Sequence, residues 1–184
     1  NREFIPNESR RSWSEQFCDP TFPKYWYEVF KVAKNLDRNL RVLEIGCGQG
    51  DVTSILCYLG FKSICSFERD DTMNQVAINK LENLFNRTDI IKKESFPTLK
   101  WYDSDILVLV NCVYSDGATN KEEYINHILL MYNMAGKPEI FILEVIDPSY
   151  NVPDKNFPYH VRLSEEEVRA MFPQAEIDSI ETYR

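Results

Sequence analysis

The chain has 184 residues, of which 43% are apolar and 27% charged, the balance of one globular domain able to bury its own core. Its net charge of −8 argues against a nucleic-acid backbone as the main partner, because affinity for phosphates rests on clustered Lys and Arg. The basic pairs Arg10-Arg11 and Lys92-Lys93 are short and read as solvated faces. No window approaches the roughly 18–20 apolar residues of a membrane span, and no signal peptide is visible at the start.

The first 22 residues are polar, and Pro6, Pro20 and Pro23 break regular structure there. From Tyr25 to Leu36 apolar residues recur at helical spacing, and Asn39 stops that helix. Residues 1–38 are therefore expected to form an N-terminal helical cap or lid on a core of residues 39–184. Arg41 to Ile45 reads as a short buried strand, Gly46 to Gly50 as a turn, and Asp51 to Leu59 as a helix closed by Gly60. A second strand over Ser63–Glu68 and a helix over Asp71–Phe85 follow. Asp89–Lys92 is a weak third strand and Asp105–Asn111 a strong fourth. Lys121–Asn133 is helical, Gly136-Lys137-Pro138 turns, and Glu139–Ile146 is a fifth strand. The irregular stretch Pro148–Pro158 has the length of a lid or substrate loop. Ser164 then caps a helix with Glu167 at the capping-box position, and Ala175–Tyr183 reads as a sixth strand.

This alternation predicts an α/β fold, a doubly wound, mostly parallel Rossmann-like sheet with helices on both faces and a single domain over 1–184. Ligands of such sheets bind at the carboxyl ends of the strands, where the turn Gly46–Gly50 is expected to lie. The five cysteines, Cys18, Cys47, Cys57, Cys65 and Cys112, have no C-x-x-C spacing. Free thiols of this kind favour a reducing compartment, and the cytoplasm is the expected location. Cys57, Cys65 and Cys112 stand in apolar runs and read as small core residues.

The segment Val42-Leu43-Glu44-Ile45-Gly46-Cys47-Gly48-Gln49-Gly50 carries the functional signal. Glycines at alternate positions after a strand let backbone approach a ligand closely. Glu68, at the end of the second strand, is placed to accept hydrogen bonds from ribose hydroxyls. A dinucleotide fingerprint, G-x-G-x-x-G, would need glycine where Asp51 stands. The pattern suits a cofactor with a ribose and no phosphates.

This segment resembles motif I of class I S-adenosylmethionine (SAM) dependent methyltransferases, an acid followed two residues later by G-x-G-x-G. Glu68 to Met73, Ser104 to Val110 and Leu163 to Val168 resemble the family's second-strand acid run, fourth strand and late helix. The resemblance spans about residues 25–183. It implies SAM as cofactor and S-adenosylhomocysteine as product. It places Glu44, Gly46, Cys47, Gly48 and Gly50 around the methionine moiety and ribose, Glu68 on the ribose and Arg69 over the adenine. Glu94, beside Ser95 and Phe96, matches the acid that accepts from the adenine amino group, and Asn111 falls near the sulfonium. The family's seventh, antiparallel strand is not found by Arg184: either it lies beyond that residue or the edge is built differently.

Methyl transfer to an alcohol needs a general base. Of the two histidines, His127 reads as structural or surface, whereas His160 follows the proline-rich stretch and is the candidate base. Tyr102, Tyr114 and Tyr150 are candidates for an acceptor pocket; Trp13, Tyr25, Trp26 and Tyr27 for a lid or a packing helix. Asp116 and Asp147 occupy positions where metal-dependent relatives hold carboxylates, but the full set is not recognisable and no metal is expected. Asn111-Cys112-Val113-Tyr114 lacks the prolines of the amino-methyltransferase motif, which argues against DNA-base methylation. The expected activity is methylation of an oxygen or nitrogen of a small molecule or biosynthetic intermediate. Alternatives are a protein or tRNA methyltransferase, or a catalytically silent SAM-binding subunit supporting a partner.

Overall fold

The computed structural model describes residues 24–112, 117–151 and 157–180. Five strands, β1 (Arg41–Ile45), β2 (Ser63–Phe67), β3 (Ile91–Lys92), β4 (Ile106–Leu109) and β5 (Ile140–Leu143), form one parallel sheet in the order β3-β2-β1-β4-β5. Order reverses beside β1, the switch point at which such sheets bind ligands. Register aligns Ile45 with Phe67 on one side and Leu109 on the other, so three strands end at one level.

Alternation along each central strand feeds two cores. Val42, Ile64, Ile106 and Val108 face α1 (Lys24–Ala33), α2 (Asp51–Leu59) and α3 (Asp71–Phe85), packing with Val29, Val52, Leu56 and Leu81. Leu43, Ile45, Phe67, Leu107 and Leu109 pack on the other face against Tyr124, Ile128 and Met131 of α4 (Lys121–Met134). A strand buried on both faces must be apolar nearly throughout, which is why β4 reads Ile-Leu-Val-Leu. Among the described residues no helix follows β3: Phe96 and Tyr102 pack edge-on against Phe67 where a crossover helix would lie. Leu99 and Trp101 stand exposed on that crossover.

Several expectations need correction. The first helix ends at Ala33 rather than Leu36, because the Arg38 guanidinium turns back onto the carbonyls of Ala33, Lys34 and Leu36. The fifth strand shortens to Ile140–Leu143, with only an isolated parallel bridge from Ile146 to Arg162 beyond it. The expected sixth strand is absent over 175–180, and 181–184 lie outside the described residues. A strand needs a neighbouring ladder. Here the Ile177 carbonyl instead accepts from Arg169 of α5 (Glu165–Met171), and nearly the whole segment is exposed. Among the described residues the sheet therefore stops at β5. The capping box at Ser164 and Glu167 forms as read.

Candidate functional site

The chain leaves β1 at Ile45 and reverses through Gly46 (φ 68°), Gly48 (φ 55°) and Gly50 (φ 75°) into α2. These left-handed values are costly for any residue with a Cβ. Two of the glycines also answer a packing demand. A Cβ on Gly46 would come within 2.6 Å of the Cys112 Cβ, and one on Gly50 within 3.1 Å of the Ala77 Cβ. Gly48 differs: its nearest neighbour would be the Met73 sulfur at 4.0 Å. At Gly48 the absence of a side chain is not explained by crowding from the protein.

Two carboxylates flank the turn and have different surroundings. Glu44, in β1, is 3% exposed, and its Oε2 accepts from the hydroxyls of Thr53 (2.6 Å) and Ser66 (2.7 Å). Sheet pairing supplies one partner directly, since Glu44 and Ser66 face each other in register. Burial pushes the Glu44 carboxyl up to about 7, with the two hydroxyls opposing that rise and the charges of Asp51 and Glu68 adding to it. Glu68 follows β2. Its Oε2 accepts the Gly48 N–H at 2.8 Å and its Oε1 the Asp70 N–H at 2.7 Å. One carboxylate thus ties the glycine turn to the start of α3, where Asp70 caps the N–H groups of Thr72 and Met73.

The rest of the turn is fixed from beneath. The Cys47 N–H donates to the Phe67 carbonyl at 3.0 Å. The Cys47 thiol is buried, which raises its pKa well above the ordinary value. Asp51, at the start of α2, pairs with the buried Lys80 of α3 at 2.7 Å. Gln49 is 2% exposed, and neither its Oε1 nor its Nε2 has a hydrogen-bond partner among the described residues.

The other expected residues lie along the same sheet edge. Arg69 is exposed beside Glu68, and Glu94 and Ser95 are exposed just past β3. Asn111, past β4 with φ 52°, gives its backbone N–H to Glu144 (2.6 Å) and its side-chain amide to the Tyr25 hydroxyl (3.0 Å). Tyr25 is buried in the core of α1, so that helix packs on the sheet and is latched to the site edge, while Tyr27 is exposed. His160 lies in the 3₁₀ turn Tyr159–Val161, which packs against α4. Glu123 of α4 is held below the usual carboxylate range chiefly by the Thr119 N–H and hydroxyl.

Tyr102 packs in an aromatic cluster with Phe67 and Phe96. His127 is half-buried on α4. Cys57, Cys65 and Cys112 are only partly buried, and Cys47 is the buried thiol of the turn. Trp13, Cys18, Tyr114 and Asp116 lie outside the described residues. Among the described residues no cluster of three His, Cys, Asp or Glu side chains could hold a metal, and no helix is long and apolar enough to cross a membrane. Sequence reading missed Thr53, Ser66 and Gln49. Ser66 carried a signal: a hydroxyl inside the apolar run Ser-Ile-Cys-Ser-Phe needs a buried partner.

No family model matches the sequence, and no curated protein does. Solved structures do match in shape. The magnesium protoporphyrin IX methyltransferase (ChlM) of Synechocystis PCC 6803 with bound SAM superposes at TM-score 0.63 and 14% identity, over 99% of this chain and 84% of that one. The same enzyme with bound S-adenosylhomocysteine gives TM-score 0.64 and 15% identity, over 92% and 84%. The sugar N-methyltransferase KedS8 of Streptoalloteichus sp ATCC 53650 gives 0.55 and 13%, over 78% and 57%. The fold is that of class I SAM-dependent methyltransferases.

Proposed function

We propose that this chain binds SAM and transfers its methyl group to an oxygen or nitrogen of a small acceptor molecule. The observation that carries the reading is the left-handed glycine turn at the end of β1, bonded through the Gly48 N–H to the Glu68 carboxylate at the end of β2. The residues fit such a cofactor. Glu68 spends one lone pair of each oxygen on backbone and keeps one on each, enough for both hydroxyls of a ribose. Glu44 braces the turn from below and offers negative charge to an amino group. Gly46, Cys47, Gly48 and Gly50 would line the methionine moiety, Arg69 the adenine, Glu94 and Ser95 its exocyclic amine, and Asn111 the sulfonium end. A pyrophosphate finds nothing comparable: Asp51 and Lys80 neutralise each other, and Glu44 and Glu68 would repel it.

When bound, SAM supplies a methyl group already activated by its sulfonium. The protein's task is then alignment and exclusion of water. Asn111, fastened by Glu144 and Tyr25, fixes the β4 end where the acceptor would meet the cofactor. His160, in the 3₁₀ turn that packs against α4, would take the proton from an alcohol acceptor. The proposed single domain, with residues 1–38 capping the core, leaves the acceptor end to the loops after β4 and β5.

A thermal shift with S-adenosylhomocysteine against NAD tests this. At about 100 times its dissociation constant a ligand stabilises the fold by roughly 2.7 kcal/mol, a rise of about 5–10 °C for a domain of this size. A rise with S-adenosylhomocysteine alone is expected; a rise with NAD alone, or with neither, refutes the cofactor.

A further inference from the structure

The crossover from β3 to β4 carries an apolar tip that the cofactor site does not use. Both ends of the tip are anchored. Phe96 and Tyr102 pack edge-on against Phe67, and the Tyr102 N–H donates to the Met134 carbonyl at the end of α4. Between these anchors Leu99 is as exposed as in an extended peptide (103%), and Trp101 is 70% exposed. Thr98 ties the tip together: its hydroxyl donates to the Lys100 carbonyl (3.1 Å) and accepts the Lys100 N–H (3.0 Å). The main-chain groups of Lys100 are thus bonded without water, which lowers the cost of moving the tip out of it.

The charge of this segment is opposite to that of the chain. Residues 92–101 hold Lys92, Lys93 and Lys100 against Glu94 alone, in a protein of net charge −8. Lys93 meets Asp71 at 3.0 Å, but both side chains of that pair are exposed and screened by water. Asp103, just past the tip, is taken up by Arg41. A protein partner would draw such anchors into pockets of matching shape. A projecting Leu-Lys-Trp tip fits a soft, negatively charged interface instead. Trp settles at the level of the headgroups, Leu at the acyl boundary, and Lys is drawn to anionic lipid. We propose that the tip Leu99-Lys100-Trp101 docks this chain on anionic bilayer surfaces. Such a contact lies on the bilayer, needs no spanning helix, and with two apolar side chains is weak and reversible. The three residues lie outside those placed at the cofactor, so docking and cofactor binding can fail separately.

The test is co-sedimentation of the whole chain with sucrose-loaded vesicles of phosphatidylcholine plus phosphatidylserine, against vesicles of phosphatidylcholine alone. The expected result is sedimentation with the anionic vesicles, at least tenfold weaker binding to the neutral ones, and release as salt rises. Leu99→Ser with Trp101→Ser should weaken anionic binding at least tenfold. Lys100→Glu, which keeps the apolar pair, should weaken it several-fold and serves if the double variant melts early. Because all three side chains are exposed, melting temperature and S-adenosylhomocysteine affinity should match the wild type. A wild type that stays in the supernatant or binds both vesicles equally overturns the proposal, as does a double variant that sediments like the wild type. A wild type that ignores vesicles but elutes as a dimer, with the double variant a monomer, overturns lipid docking and gives the tip to a second copy of the chain.

Discussion

Glu44 allows a prediction worked from the structure. Its carboxyl is raised from 4.5 to about 7, mainly by burial. Below pH 4.5 it is protonated both folded and unfolded. Between these values the folded state keeps a proton that the unfolded chain has released, so stability falls as pH rises, and the loss is complete above 7. Between pH 5 and 8 this single group withdraws about 2–3 kcal/mol, or roughly 5–10 °C in melting temperature for a domain of this size. Glu44→Gln does not titrate, and its carbonyl can still accept from Thr53 and Ser66. Wild type and variant differ in no other side chain, so the difference between their pH profiles isolates Glu44. Urea denaturation of both proteins at half-unit steps from pH 5 to 8 should show the wild type losing stability relative to the variant by that amount. Parallel profiles, differing by less than about 0.5 kcal/mol across the range, would refute the claim that burial outweighs the two hydroxyls.

The glycine turn separates packing from binding. Gly48→Ala meets only the strain of a left-handed alanine, about 1–2 kcal/mol. It should stay folded by circular dichroism yet bind S-adenosylhomocysteine at least tenfold more weakly by calorimetry. Gly46→Ala adds a clash with Cys112 and should lose more stability in urea than Gly48→Ala. Lys80→Met strands Asp51 beside the turn and should cost about 3 kcal/mol in urea denaturation. The double variant Lys80→Met with Asp51→Asn should recover most of that, because the buried charge no longer lacks a counterpart.

What was legible in the sequence followed from local rules. The turn was readable because alternate glycines after an apolar strand have few other uses, and the α5 cap because its side-chain pattern is local. The sixth strand was misread because pairing depends on an available ladder, and Arg169 takes the Ile177 carbonyl instead. The partners of Tyr102 were not legible either: only tertiary structure shows Phe67 and Phe96 around it. The surroundings of Gln49 were hidden too, since nothing in a glycine-rich turn announces that the intervening side chain is buried without a partner among the described residues.

The two acids of the site show why similar residues serve different ends. Glu44 receives both of its hydrogen bonds on one oxygen, from hydroxyls buried with it. Those bonds are too few to offset burial, so its charge is retained only weakly near neutral pH. Glu68 receives one backbone N–H on each oxygen, and those donors belong to the two segments whose spacing sets the width of the site. Backbone donors cannot rotate away as hydroxyls do. The carboxylate plane of Glu68 is therefore set by the turn and by α3 before any ligand arrives, with its remaining lone pairs already oriented. Glu44 instead tunes the charge beneath the turn. If the cofactor's ammonium draws on that charge, its binding favours the ionised form, and affinity for S-adenosylhomocysteine should strengthen as pH rises from 6 to 8 in the wild type and stay flat in Glu44→Gln. A flat wild-type profile would leave Glu44 as a brace for the turn and nothing more.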